Sequence, residues 1–80
     1  LGPRSTSWLH DAGIDSLEQL RKLGPEVAYW KIRALGHPAT KNLLWGLVAA
    51  CLDKDWRELT AAEKQHAQAR LAALSDPATS

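Results

Sequence analysis

Glycine and proline residues divide this chain into short segments. Gly13, Gly24 and Gly36 each follow a run whose apolar positions recur with helical spacing, and glycine is a frequent end point for a helix. Pro25 follows Gly24 directly and suits the first position of the next helix, whereas Pro38 lies in a tight connector after Gly36. No segment alternates apolar and polar residues as a half-buried strand would. The sequence therefore predicts an all-α chain of short helices joined by very short connectors.

The apolar spacing between these breaks predicts about five helices. We expect them at residues 3–12 and 16–23, from 25 to a stop at 36, from a cap at Thr40 through 52, and at 61–74. Asp15 followed by Glu18 has the spacing of a capping box, as does Thr60 followed by Glu63. We expect a compact bundle of the helix-hairpin-helix or SAM-like type over residues 1–74, with a frayed tail at 75–80.

The fourth predicted helix carries the clearest pattern in the chain. Its apolar residues follow the spacing i, i+1, i+4, i+5, i+8, i+9 and are Leu43, Leu44, Leu47, Val48, Cys51 and Leu52. A face this wide is typical of a central helix, so we expect Leu44, Leu47, Val48 and Cys51 to be buried together. Leu35 and Leu74 are expected to face the core from neighbouring helices. Trp56 and Leu59 are expected to cover its end.

Length and charge exclude several classes of protein. The chain has 80 residues, enough for one domain, and a formal net charge of +1. That charge excludes a strongly basic nucleic-acid wrap and an acidic tail protein. No apolar run approaches the roughly 20 residues of a membrane span. Cys51 is the one cysteine, which favours a reducing cytoplasm over a disulfide-stabilised secreted domain.

The sequence shows no pattern typical of catalysis or metal binding. His10, His37, His66 and Cys51 are spread over four predicted elements without metal-ligand spacing. Cys51 lies on an apolar helix face, where a buried small side chain is the better interpretation than a nucleophile. There is no phosphate-binding loop and no nucleophile elbow. We therefore expect no enzyme, no metal, no cofactor and no small-molecule substrate.

Four tryptophans could serve either a core or an interface. Phe and Met are absent, so tryptophan has to supply bulk to a small helical core. Trp45 and Trp56 are expected to be the most buried. Tryptophan is also enriched where binding energy concentrates, and Trp8 or Trp30 is the better candidate for a protein interface.

The first residues offer a candidate nucleic-acid site. Gly2 opens a helix whose free backbone N–H groups would suit a phosphate, with Arg4 adding charge and Ser5 or Thr6 adding a hydroxyl. The alternative is that the glycine and Pro3 merely start a helix, as in many proteins. A second basic patch could form around the third and fourth helices from Lys31, Arg33 and Lys41.

The order of several short motifs resembles one known family. The motifs are LGPRS at 1–5, AGIDSLEQLRKLG at 12–24, Ala28 to Arg33, NLLWGL at 42–47 and WREL at 56–59. Together they resemble the TfoX (Sxy) C-terminal domain, with a helix-hairpin-helix-like opening. The RNA polymerase alpha subunit's C-terminal domain has a similar stretch near residues 12–24, but the later motifs favour TfoX.

The resemblance implies a regulatory module. TfoX proteins are bacterial regulators of competence for DNA uptake, thought to act with a cyclic-AMP-responsive transcription activator. The chain begins at Leu1 without any methionine, so we expect a fragment, a processed chain or a trimmed chain. An N-terminal domain often precedes this one in the family, which agrees with that expectation. Two hypotheses remain open: control of competence through protein contacts, or direct, sequence-independent DNA binding. A third is a domain without separate activity. No membrane partner is expected.

Overall fold

Five α-helices and one short 3₁₀ helix form the structure. This computed structural model describes residues 3–74 of the chain and the backbone of Ser75. The α-helices are α1 (Pro3–Asp11), α2 (Leu17–Leu23), α3 (Pro25–Ala34), α4 (Lys41–Leu52) and α5 (Ala61–Ser75), with the 3₁₀ helix at Trp56–Glu58. The described residues contain no strand. The prediction of an all-α chain with about five short helices is therefore confirmed.

Polar side chains cap the helices largely where the sequence indicated. At α5, Thr60 Oγ1 accepts from the Glu63 N–H at 3.1 Å, and Glu63 Oε1 accepts from the Thr60 N–H at 2.9 Å, which completes the predicted capping box. At α2 the prediction was displaced by one residue. Ser16 is the capping residue and accepts from the Gln19 N–H at 3.1 Å, so Asp15 and Glu18 do not form the box.

Helix α4 contributes more buried residues to the core than any other described helix. Leu44 and Leu47 are completely buried and Val48 nearly so, while Cys51 is half-buried against the same cluster. The predicted burial is confirmed for Leu44, Leu47 and Val48, whereas Cys51 is only partly buried and Leu52, the last residue of the helix, is 48% exposed. Helix α3 packs against both α4 and α5 and contributes the largest fully buried side chain, Tyr29.

Three residues expected to face the core are exposed instead. Leu35 is 54% exposed because it lies just beyond the end of α3, and Leu74 is 41% exposed in the last turn of α5. Trp56 is 55% exposed because it begins the 3₁₀ helix, whereas Leu59, which follows that helix, is buried and covers the end of the core. The prediction of a two-residue cover was therefore right for Leu59 and wrong for Trp56.

Helix α5 extends one residue further than the sequence predicted. It continues through Ser75, the first residue of the predicted tail, and residues 76–80 lie outside the described part of the chain.

Within residues 3–75, none of the helices combines the length and the apolar character needed to cross a membrane.

Candidate interaction groove

A groove of about 710 Å³ lies between α1, α4 and the 3₁₀ helix. We call it the α1–α4 groove, and it is lined by Arg4, Ser5, Trp8, Pro38, Thr40, Asn42, Leu43, Gly46, Ala49, Ala50, Lys54, Asp55 and Trp56. Helix α4 supplies a floor of small residues because Gly46, Ala49 and Ala50 recur at helical spacing on one side of it. The groove therefore combines a small, largely apolar floor with aromatic and polar walls.

The first helix brings two sequence candidates together in this groove. Arg4, Ser5 and Trp8 line it because residues spaced i, i+1 and i+4 share one face of α1. Thr6 lies at a different cleft, between α1 and α2. Gly2, the remaining residue of the predicted phosphate-binding turn, lies outside the described residues. The residues predicted for DNA and for protein contact thus partly share one surface.

Trp8 is held in place from the neighbouring connector. Its indole stacks on the His37 imidazole, and the His37 Nε2 atom lies 3.2 Å from Asp11 Oδ2. Trp8 is half-buried and packs against the core cluster. It therefore supports the position of α1 as well as forming a wall of the groove.

Trp56 forms the opposite wall, and sequence reasoning missed its exposure. The residue before it, Asp55, accepts from the Arg57 N–H at 2.9 Å, and the Asp55 N–H donates to Glu58 Oε1 at 3.0 Å. This capping box starts the 3₁₀ helix and leaves the indole at the groove. The three-residue spacing of Asp55 and Glu58 is the sequence signal that could have predicted this capped turn.

Two cations, Lys54 and Arg4, line the groove, and they differ in their ion pairs. Lys54 Nζ donates to both carboxylate oxygens of Glu63 at 3.0 Å. Asp55 pairs with Arg57 at 3.1 Å, and the hydrogen bonds from Arg57 hold the pKa of the Asp55 carboxyl below its usual range. Arg4 is exposed, and no carboxylate of residues 3–75 lies within ion-pair distance of it.

The other candidate residues lie away from this groove. Trp30 is 43% exposed and lines a separate cleft with Arg33, whose guanidinium lies 5.9 Å above the Tyr29 ring. Lys31 lines another cleft, against the connector between α1 and α2, and Lys41 begins α4. Lys31 and Arg33 are two residues apart on one helix, so their side chains diverge. The structure does not bring the predicted second basic patch together in one cleft.

The remaining tryptophan and the cysteine have mainly structural surroundings. Trp45 is half-buried, with Lys64 Nζ 5.6 Å above its ring. Burial raises the pKa of the Cys51 thiol, an effect to which the nearby Glu26 carboxylate adds. A thiol with a raised pKa is a poor nucleophile. Among the described residues, His, Cys, Asp and Glu form no group of three able to hold a metal ion.

Comparison with known proteins identifies the family. The sequence model of the TfoX C-terminal domain matches residues 1–71, which span every element from α1 into α5. Comparisons with curated proteins and with solved structures gave no match. The matched region covers most of the chain, including all the residues that line the α1–α4 groove. This chain therefore belongs to the TfoX C-terminal domain family.

Proposed function

We propose that this domain is a non-enzymatic regulatory module of a bacterial competence regulator, acting in the cytoplasm mainly through protein contacts. Its family suggests a role related to competence. The single observation that carries the protein-contact part is the α1–α4 groove, in which Trp8 and Trp56 flank a floor of small residues. The partner that the family suggests is a transcription regulator.

The groove has the composition of a protein interface. Tryptophan and arginine are enriched at binding hot spots, and the groove has at its walls two tryptophans and Arg4, which makes no ion pair with residues 3–75. A floor built from Gly46, Ala49 and Ala50 leaves room for an inserted apolar side chain. A partner segment with an apolar anchor next to a carboxylate would match both the floor and Arg4.

The charged groups at the groove are poorly suited to chemistry. Asp55 is the one carboxylate lining it, and hydrogen bonds from Arg57 stabilise its ionised form. Lys54 is committed to Glu63. Neither group is free to act as a general acid or base near neutral pH, which supports a binding role.

Photo-crosslinking tests the proposed interface. A benzoyl-phenylalanine that replaces Trp56 should crosslink this protein to the cyclic-AMP-responsive activator in cells induced for competence. The matched control is the same side chain at position 30, because Trp30 is also exposed but lies outside the groove. Crosslinking at position 30 alone, or at neither position, would contradict the proposal.

Direct DNA binding is the second candidate, and the first turn of α1 favours it. That turn contains no acidic residue, and Arg4 is exposed and free of ion pairs with residues 3–75. One or two neutralised phosphates would give a log–log salt slope of about −1 to −2, with affinity at the weak end of about 10⁻⁴ to 10⁻⁶ M.

Duplex titrations separate the two candidates. Labelled duplex is titrated at two salt concentrations with the wild type, Arg4→Ala and Lys31→Ala. If the first turn of α1 holds a phosphate, Arg4→Ala should make the salt slope shallower by about one unit without altering sequence preference. Loss on Lys31→Ala alone would move the site to α3. No binding by any form would remove autonomous DNA binding and leave protein contact.

A further inference from the structure

A second cleft, of about 500 Å³, lies on the other side of α4, between α4, α5 and the start of α3. We call it the Cys51 cleft. Its uncharged lining is Gly24, Pro25, Val48, Cys51, Leu52, Ala62 and Ala67. The volume falls within the range of small-molecule sites, and the lining is mainly apolar, as in most such sites.

The carboxylates of this cleft already have partners. Glu26 is 5% exposed at the start of α3, and its Oε1 atom accepts from Arg70 Nε at 3.2 Å. Glu63 is paired with Lys54, a residue that does not line this cleft. The hydrogen bond to the buried Glu26 uses the Nε–H of Arg70 and holds its guanidinium at the cleft. The Arg70 side chain is 60% exposed, so the rest of the guanidinium can contact a ligand.

Two basic residues of the same cleft have no such partner. Arg21 comes from the last turn of α2 and His66 from the middle of α5, and both line the cleft. No carboxylate of residues 3–75 lies within ion-pair distance of either. With Glu26 paired to Arg70 and Glu63 paired to Lys54, Arg21 is the formally charged side chain of the lining that has no ion-pair partner among residues 3–75, while the walls remain apolar.

We propose that the Cys51 cleft binds a small amphipathic anion, with its apolar body against α4 and α5 and its carboxylate between Arg21 and Arg70. Arginine binds carboxylates with two parallel N–H donors, which suits Arg21 and the unpaired edge of Arg70. A cation is disfavoured because the two carboxylates of the cleft are occupied. The site is separate from the α1–α4 groove and does not depend on the function proposed for that groove.

Cys51 provides the measurement, because it is the one cysteine of the chain and lines the cleft. The rate of its modification by a disulfide reagent is measured with octanoate, octylamine or octanol, which share one alkyl chain and differ in charge. Octanoate at about ten times its dissociation constant should slow the reaction about tenfold, because only unoccupied protein reacts. Octylamine should give no protection, and octanol much less than octanoate.

Variants identify the anion-binding residue. Arg21→Gln should lose most of the octanoate protection, whereas Lys22→Gln should keep it, because Lys22 lies one residue along α2 and lines another cleft. Arg21 also lowers the pKa of the Cys51 thiol, so each variant's protected rate is compared with its own unprotected rate. Circular dichroism checks that both variants are folded.

Three results would overturn the proposal: no protection by octanoate, equal protection by octanol or octylamine, and full protection retained in Arg21→Gln. Trp56→Ala should show wild-type protection, since Trp56 lies in the α1–α4 groove. If the α1–α4 groove proved not to be a protein interface, the octanoate protection of Cys51 would therefore be unchanged. Likewise, a lack of octanoate protection would not count against the interface proposed for the α1–α4 groove.

Discussion

The Trp8 indole stacks on the His37 imidazole, with the ring centroids 5.1 Å apart and the planes inclined by 16°. Asp11 contacts the same imidazole, with its Oδ2 atom 3.2 Å from His37 Nε2. Trp8 and Asp11 belong to α1, whereas His37 lies in the connector between α3 and α4. These contacts attach α1 to that connector, whose Pro38 lines the α1–α4 groove next to Trp8.

Replacing His37 should loosen that attachment. His37→Ala is expected to lower the free energy of unfolding by about 0.5–1.5 kcal/mol, the usual worth of a stacked ring pair. Chemical denaturation measures the change. His66→Ala is the control, because His66 is exposed and makes no ion pair with the described residues. Equal losses in the two variants would contradict the structural role of the stack.

The centre of α4 should be the most sensitive part of the core. Leu47→Ala should cost about 2–5 kcal/mol, because Leu47 is completely buried and its removal leaves a cavity. Leu52→Ala is the matched control, since Leu52 is on the same helix but 48% exposed, and we expect a much smaller loss. A loss below about 0.5 kcal/mol for Leu47→Ala would remove α4 from the centre of the core.

Stability should fall as the solution becomes acidic, partly through Glu63. The backbone N–H of Thr60 and the ammonium of Lys54 hold the pKa of the Glu63 carboxyl below its usual value. A carboxyl with a lowered folded-state pKa contributes stability above its unfolded-state pKa, and that stability is lost as the pH falls through the folded-state pKa. Glu63→Gln should therefore flatten the pH dependence of unfolding on the acidic side. An unchanged slope would contradict the assignment.

Tryptophan fluorescence should report the exposure of Trp56. Acrylamide quenches exposed indoles more than half-buried ones, and Trp56 is 55% exposed. Trp56→Phe should therefore reduce the quenchable fraction of the emission more than Trp45→Phe, because Trp45 is half-buried. A larger reduction with Trp45→Phe than with Trp56→Phe would place Trp56 in the core, as the sequence predicted.

Local pattern was enough to predict most of the helices and the core face of α4. The spacing from Leu43 to Val48 marks a buried helix face, and Thr60 with Glu63 marks the start of α5. Both signals act within a few residues of one another. Such local signals do not predict the burial of Tyr29, because that burial depends on α3 packing against two other helices.

The two clefts could not be predicted because tertiary packing creates them. Arg4 and Trp8 were each recognised as candidates, but nothing local indicates that the 3₁₀ helix would place Trp56 opposite them. The pairing of Glu26 with Arg70 likewise requires α3 to lie against α5. Trp56 was assigned to the core on its bulk, whereas its position at the first residue of a capped 3₁₀ helix decides its exposure.

Loss of competence on altering the groove tests the central claim most directly. The protein carrying Trp56→Ala, or Arg4→Ala with Trp56→Ala, is compared in its host with one carrying Trp30→Ala. The measurement is the output of a competence promoter at equal protein abundance. Truncating a hot-spot tryptophan costs about 2 kcal/mol or more, which is about a thirtyfold loss of affinity, so both groove variants should lose most of the output while Trp30→Ala keeps it. Full output from the double variant, or equal loss from Trp30→Ala, would contradict the claim that the α1–α4 groove is the interaction surface.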